Sequence, residues 1–369
     1  MGMPYFKCKD LIITHGVKVF SSNYKLYGDM SHRVMETIKS LAQHIEIYSI
    51  DEAFADLSNI PPSEILPYAI HIREIILKWT GITVSIGIGP TKTLAKLANY
   101  IAKKHTKTGI YDIRDEEVQI RALGKIDIEE VWGISRGWGG KLRNIAINTA
   151  LELRNVDSKT IRASFGVVME RTVMELRGIS CIPLENSQNR KNIISSRSFG
   201  REVTNIEDLE EAIANYVAKA CVKLRRQNSR AGGIQVFLQT NRFHAIQSNG
   251  DYHFETSYKF TLPSSDTSDI IEIAKACLKT IYRTGTKYRK AGITLLDCKD
   301  IAFEQQSFFE VIDYKKSDKL MSTLDEINEL MGLNSVFYAA QGIDRSWTMK
   351  SGSMSPCYTT NWNELPTVM

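Results

Sequence analysis

The amino-acid sequence predicts an α+β multidomain protein, and three observations carry that reading. Up to about Tyr111, segments with a helical period alternate with segments rich in β-branched residues. From about Asp112 the patterns are short and helical. From about Asn192 two long amphipathic helices are interleaved with strands in the order β-α-β-β-α-β. The chain has 369 residues, 43% hydrophobic and 24% charged, which is ordinary globular composition with material for several cores and no signal for disorder.

The elements follow in chain order. "MSHRVMETIKSLAQ" (Met30–Gln43) repeats Val34, Ile38 and Leu41 on one helical face. "IEIYSI" and "EAFADL" read as two strand runs flanking Asp51 and Glu52. A helix starts near Ser63, a β-branched strand is "ITVSIGIG", and "TKTLAKLANYIAKKH" is a helix whose apolar face carries Leu94, Leu97, Ala98 and Ile101. "DIEEVWGISRGWGGKLRNIAI" is a short helix, a Gly-rich turn and a short helix, inside an all-helical stretch ending near Gly178. The polar "CIPLENSQNRK" reads as a linker. The β-α-β-β-α-β unit after it suggests a ferredoxin-like sandwich. From about Lys299 the sequence is a mixed tail with a helix near Lys316–Met331.

Net charge is +5, and its distribution says more than its size. Gly81–Tyr111 holds five lysines and no acid, Lys275–Lys290 six basic residues and no acid, and Lys223–Arg230 four basic residues. Three such stretches favour a polyanion partner such as nucleic acid. The six cysteines form no CxxC pair and have no His at zinc spacing, which reads as reduced thiols in a cytoplasmic protein. No run of about 18 apolar residues predicts a membrane span, and the apolar run of "MGMPYFKCKDLII" is too short for a signal peptide.

Four constellations could carry chemistry. Asp51 and Glu52 are adjacent, and neighbours on a regular strand point to opposite faces. They share one site only where the strand bends or turns. Mg²⁺ takes hard oxygen ligands, typically one or two carboxylates plus phosphates, and a two-metal site stabilises both oxygens of a phosphoryl transfer. The competing reading is a turn Asp beside a surface-paired Glu. The lysine helix could contact phosphate through Lys103, but it is not a Walker loop: Pro90-Thr91 precedes Lys92. The turn Gly133, Ile134 and Ser135 exposes backbone N–H groups that could hold a DNA phosphate without reading sequence. Gln305–Phe309, "QQSFF", is a candidate docking peptide, with Phe308 and Phe309 as anchors and Gln305 at the rim.

In combination these residues are far more specific. "YSIDEAFADL", "TVSIGIGPTKTLAKLAN", "VWGIS", "SRSFG" and "YRKAG" occur in the order and spacing of the Y-family lesion-bypass DNA polymerases. "FSSNYKLYGDMS", "FYAAQGIDRSWTMK" and "SPCYTTNW" resemble their bacterial UmuC branch, the catalytic subunit of polymerase V. The resemblance implies a remnant of the fingers at 1–18, a partial α/β palm at 19–112, a helical thumb with a helix-hairpin-helix at 113–183, a ferredoxin-like little finger at 190–299 and a UmuC-type tail at 300–369. It implies error-prone translesion synthesis within the SOS response, by nucleotidyl transfer from dNTP to a primer 3′-hydroxyl.

By that resemblance Asp51 and Glu52 are catalytic and bind Mg²⁺, with Ser49 in the same SIDE motif among the DNA contacts, and Lys103 contacts the triphosphate. Gly133, Ile134 and Ser135 hold the DNA backbone, and Arg197, Ser198, Arg201, Arg289 and Lys290 track phosphates. Gln305, Phe308 and Phe309 bind a sliding clamp. Implied partners are damaged primer-template DNA, dNTP, a UmuD-like subunit, the clamp and a RecA filament. Ser135 stands where the thumb hairpin usually has Gly, and Cys357 where the tail usually has Arg. The family's first palm strand, with a further metal-binding Asp and the steric gate, has no match: Asp10 lies in the "KCKDL" helix and Asp29 is expected to cap the helix near Met30. The alternative is therefore an N-terminally truncated, catalytically impaired homologue that binds DNA and clamp without synthesis.

Overall fold

The computed structural model describes residues 2–185, 189–241, 251–303, 314–332, 334–349 and 351–367. They form two compact units, Met1–Ser187 with Ser353–Met369, and Gln188–Gly352.

The first unit opens with α1 (Tyr5–Thr14), which buries none of its residues, and α2 (Tyr24–Leu41). The second helix begins a turn and a half before Met30 because Asn23 caps it. The Asn23 side chain accepts the Leu26 N–H at 3.2 Å and donates to the Ser355 carbonyl at 2.8 Å. Asp29 therefore lies inside the helix and does not cap it. The Thr359 side chain, and then Arg33 at 2.9 Å, hold its carboxyl below the usual range. Val34 of α2 packs on Ile72 and Ile76 of α3 (Ile65–Thr80).

Two short ladders follow. β1 (Ile45–Ile47) and β2 (Ala53–Ala55) form an antiparallel hairpin with Glu46 opposite Phe54. β3 (Ile86–Ile88) runs parallel to β4 (Ile110–Asp112), and α4 (Lys92–His105) is their crossover. Among the described residues the two ladders do not pair with each other. Only Ile86–Ile88 of "ITVSIGIG" is in strand. Gly87 and Gly89 let this strand lie directly on α4: a Cβ at Gly89 would stand 2.7 Å from the Ala95 nitrogen, and one at Gly87 would overlap the Asn99 backbone.

The apolar face of α4 buries Leu94, Leu97, Ala98 and Ile101, as the period predicts. These residues share one core with α5 (Glu116–Leu123), α6 (Arg136–Arg143), α7 (Ala150–Asn155), α8 (Ser158–Phe165) and α9 (Val167–Leu176). The change of texture near Asp112 is thus a change of element type within a continuous core. Fully buried Glu175 is satisfied by backbone N–H groups of Thr93 at 3.1 Å, Cys181 at 2.6 Å and Ile182 at 3.1 Å.

The second unit contains β5 (Ile193–Val203), α10 (Ile206–Arg226), β6 (Ser229–Gln239), β7 (His253–Ser264), α11 (Thr267–Ile281) and β8 (Tyr288–Leu296). The element order is the expected one, but the sheet is not ferredoxin-like. Its order is β5-β8-β6-β7, antiparallel throughout, so the second and fourth strands are central. A ferredoxin-like sheet has its first and third strands there. The burial explains the arrangement. Along β6 and β8 nearly every residue is buried or half-buried, whereas β5 and β7 have exposed positions throughout, as edge strands should. A two-residue strand β9 (Lys299–Asp300) pairs with the start of β6.

α12 (Tyr314–Leu330) is tied to α10 by a bidentate Arg225–Asp325 pair at 2.7 Å. The expected tail at 300–369 is divided. Residues through Gly352 belong to the second unit, and Ser353 onward to the first, where Ser21 bridges to Met354.

Candidate active site

The two carboxylates sit in the turn of the β1–β2 hairpin, not within a strand. The Tyr48 and Ser49 N–H groups both donate to the Glu52 carbonyl at 3.0 Å, closing the turn. The turn is open to solvent, with Ile47, Tyr48 and Ile50 each about half exposed. Asp51 is exposed and Glu52 partly so, which removes the desolvation cost that a buried strand would impose on two charges. The Ser49 hydroxyl donates to Asp51 Oδ1 at 2.6 Å.

The lysine helix faces this turn. Lys92, Lys96, Asn99 and Lys103 fall on one stripe at i, i+4, i+7 and i+11. Lys96 Nζ donates to Glu52 Oε2 at 2.8 Å. Lys92 pairs with Glu46 on β1, its side chain 7% exposed and that of Glu46 13%, and donates to the Pro183 carbonyl at 2.8 Å. Glu46 Oε2 also accepts the Glu185 N–H at 2.7 Å. Lys103 is exposed one heptad beyond Lys96. A pocket of about 640 Å³ has Asp51, Glu52, Lys92, Lys96 and Asn99 among its polar lining residues and Val34, Ile72 and Val84 among its apolar ones. Asn99 Oδ1 is buried without a hydrogen-bond partner among the described residues.

An aromatic cluster braces the turn. The Tyr48 ring lies 5.9 Å from Phe54 and 5.5 Å from Trp132. Trp132 Nε1 donates to the Tyr48 hydroxyl at 3.1 Å. Lys96 Nζ stands 4.5 Å from the Tyr48 ring centre. Sequence reasoning missed Lys92, Lys96, Tyr48 and Trp132 as members of the site. The i,i+4 lysine spacing was the available signal for the first two.

As a metal site the turn offers hard donors only. Asp51 and Glu52 supply adjacent carboxylates with accessible oxygens, which fits a cation completed by phosphate and water. Among the described residues no group of three or more acids, histidines or cysteines gathers at one point.

The remaining expected residues belong to other segments. Gly133 has φ +87°, Ile134 is buried, and Ser135 is the N-cap residue just before α6, with its side chain exposed and making no capping bond. In the second unit Ser198 and Lys290 are register partners on the solvent face of the sheet, where Lys290 Nζ lies 5.9 Å from the Phe237 ring. Gly292 leaves room for that ring across the sheet. Arg197 alternates with Ser198 and is directed to the helix side, in line with buried Ile193 and Phe199. Arg201 is bound to Asp208 at 2.6 Å, and Arg289 lies 3.5 Å from Glu202. Gln305, Phe308 and Phe309 lie outside the described residues. No helix among the described residues is long and apolar enough to cross a membrane.

Comparison with known proteins adds the lineage. Residues 1–100 match the impB/mucB/samB family, 190–308 its C-terminal domain, and 318–368 a domain of unknown function. The chain is 40% identical to protein UmuC of Salmonella typhimurium and 38% identical to protein MucB of Escherichia coli, in each case over 99% of this chain and 87% of the relative. DNA polymerase IV of Oceanobacillus iheyensis is 25% identical over 89% of this chain and 75% of its own. Among solved structures, a Y-family DNA polymerase chimera of Dbh and Dpo4 superposes with a TM-score of 0.62 at 23% identity, covering 81% of this chain and 83% of the other.

Proposed function

The chain belongs to the impB/mucB/samB family of Y-family DNA polymerases, and from that premise we propose that it performs translesion DNA synthesis in the SOS response, with the Asp51–Glu52 turn as its catalytic centre. The observation that carries this reading is the hairpin turn itself. It places two solvent-accessible acidic residues in the lining of one pocket, beside a helix whose Lys96 already reaches Glu52 at 2.8 Å.

In this reading Asp51 and Glu52 hold Mg²⁺, which when bound would neutralise phosphate charge and lower the barrier to attack at phosphorus. The primer 3′-hydroxyl attacks the α-phosphate of a dNTP and pyrophosphate leaves. Ser49 orients Asp51 through its 2.6 Å bond. Lys103 on the α4 stripe contacts the triphosphate as a point charge. Gly133 and Ser135 offer backbone N–H groups to a DNA phosphate, and Ile134, whose N–H donates to the Val131 carbonyl at 3.0 Å, contributes only once that bond is released. Ser198 and Lys290 on the sheet face meet the duplex backbone. Arg197, Arg201 and Arg289 contribute after rearranging from their present directions and ion pairs. The proposed partners are damaged primer-template DNA, a UmuD-like subunit, a sliding clamp bound through Gln305, Phe308 and Phe309, and a RecA filament, in the cytoplasm.

Primer extension by the full chain on undamaged and abasic templates, with Mg²⁺ and dNTPs, tests the reading. Extension on both templates, abolished by Asp51→Ala, is expected. Tight primer-template binding with no extension would contradict it.

A further inference from the structure

We propose that Trp132 is a positioning residue for the Asp51–Glu52 turn, acting through Tyr48; this rests on the reading of that turn as a metal-dependent polymerase centre. The starting point is mechanical. β1 and β2 contribute three residues each and, among the described residues, pair with no third strand. An isolated two-stranded hairpin is marginal in water. Its turn therefore needs an external brace if two carboxylates are to keep one geometry.

The brace converges on Tyr48. Its N–H closes the turn onto the Glu52 carbonyl at 3.0 Å. Its ring packs edge-on against Phe54 of the hairpin at 5.9 Å and against Trp132 at 5.5 Å, with the two planes at 86°. Its hydroxyl accepts the Trp132 indole N–H at 3.1 Å. Lys96 completes the arrangement: Nζ lies 4.5 Å from the Tyr48 ring and 5.7 Å from the Trp132 ring, and donates to Glu52 Oε2. Glu52 is thus held from its backbone by Tyr48 and from its carboxylate by a lysine seated on the two rings.

Trp132 is the one member of this cluster that comes from outside the hairpin and α4. It immediately precedes Gly133, whose φ of +87° turns the chain into α6. Val131 and Ile134 on either side are buried at 2% and 6% exposure, so the backbone that carries the indole is fixed. The indole itself is only half-buried. Removing it exposes little core, so its loss should be felt at the carboxylates more than in the stability of the fold. A residue whose only task is packing would show the reverse.

The experiment measures Mn²⁺ binding by electron paramagnetic resonance to the full chain, assembled with dideoxy-terminated primer-template and dNTP. It compares wild type, Trp132→Ala, Trp132→Phe, Tyr48→Phe and the double variant Trp132→Phe/Tyr48→Phe. Trp132→Ala should weaken Mn²⁺ about 3- to 10-fold, with the thermal midpoint nearly unchanged. Each single Phe variant removes one end of the same hydrogen bond, so each should weaken Mn²⁺ by a smaller and similar factor, and the double variant by no more than either alone. In parallel single-turnover incorporation, Trp132→Ala should raise the Mg²⁺ concentration for half-maximal rate by the same factor.

Unchanged Mn²⁺ affinity in Trp132→Ala, or strictly multiplicative Phe effects, would overturn the inference while leaving the polymerase reading intact. Should Trp132→Ala not fold, the three Phe variants decide alone. Absence of primer extension by wild type, with the Mn²⁺ pattern as expected, would overturn the polymerase reading and leave the positioning role standing.

Discussion

The turn at Tyr48–Glu52 and the open sheet face around Lys290 are built on opposite plans. Around the turn, short-range contacts from separate segments converge on two carboxylates: a hydroxyl on Asp51, a lysine on Glu52, and an aromatic brace from beyond the hairpin. On the sheet face, Ser198, Lys290 and Gln239 sit side by side by strand register, with the Phe237 ring 5.9 Å from Lys290 Nζ. The difference follows from what each region would have to do. Phosphoryl transfer needs groups held before the reaction begins, whereas tracking a phosphate backbone needs charge with freedom to adjust.

The largest expected effect breaks the turn. Asp51→Ala or Glu52→Ala should lower nucleotide incorporation by about 10²–10³-fold, the scale for losing one preorganised charge-stabilising group, with primer-template affinity nearly unchanged in a gel-shift assay. Next is the ion pair beneath the turn. Lys92→Met leaves largely buried Glu46 with the Glu185 N–H as the remaining partner of its side chain among the described residues, and should cost about 3 kcal/mol in urea unfolding.

The sheet face should respond more gently. Lys290→Glu should weaken DNA about 3- to 10-fold and lower the slope of log affinity against log salt by about one. Arg197→Glu should do less, because Arg197 is directed to the helix side. Equal effects would mean that duplex DNA meets the edge of the sheet and not its face.

The smallest effect is acid sensitivity in the helical part of the first unit. The Glu129 N–H and then Arg143 hold Asp127 below the usual carboxylate range. The Asn148 and Thr149 N–H groups do the same for Glu152, and the Thr160 N–H for Asp157. A carboxyl with a depressed folded value contributes stability that is complete above its unfolded value, about 4, and is lost as pH falls through the folded one. The thermal midpoint should thus be flat above about pH 5 and fall below pH 4, and Asp157→Asn should shallow that fall.

Legibility in the sequence followed the range of the interactions. The apolar stripe of α4 was readable because a helical period alone decides which side of a helix is buried. The first unit's carboxylate turn was readable as a pair, but its surroundings were misjudged: apolar Tyr48 and Ile50 looked like strand and are exposed turn, and Ile47 is a half-exposed strand end. Lys96 meets Glu52 across 44 residues and Trp132 meets Tyr48 across 84, and no local pattern encodes such meetings. The strand order of the second unit was hidden for the same reason. The element order was plain, but which strands became central shows only in the nearly continuous burial of β6 and β8.

One crossed measurement tests the contrast most directly: Asp51→Asn and Lys290→Glu, each assayed for primer-template affinity and for single-turnover incorporation at saturating DNA. The account predicts that Asp51→Asn removes incorporation by at least about a hundredfold and spares affinity, while Lys290→Glu lowers affinity and spares the saturated rate. Two variants that depress both quantities together, or an Asp51→Asn protein that incorporates nucleotide at the wild-type rate, would contradict it.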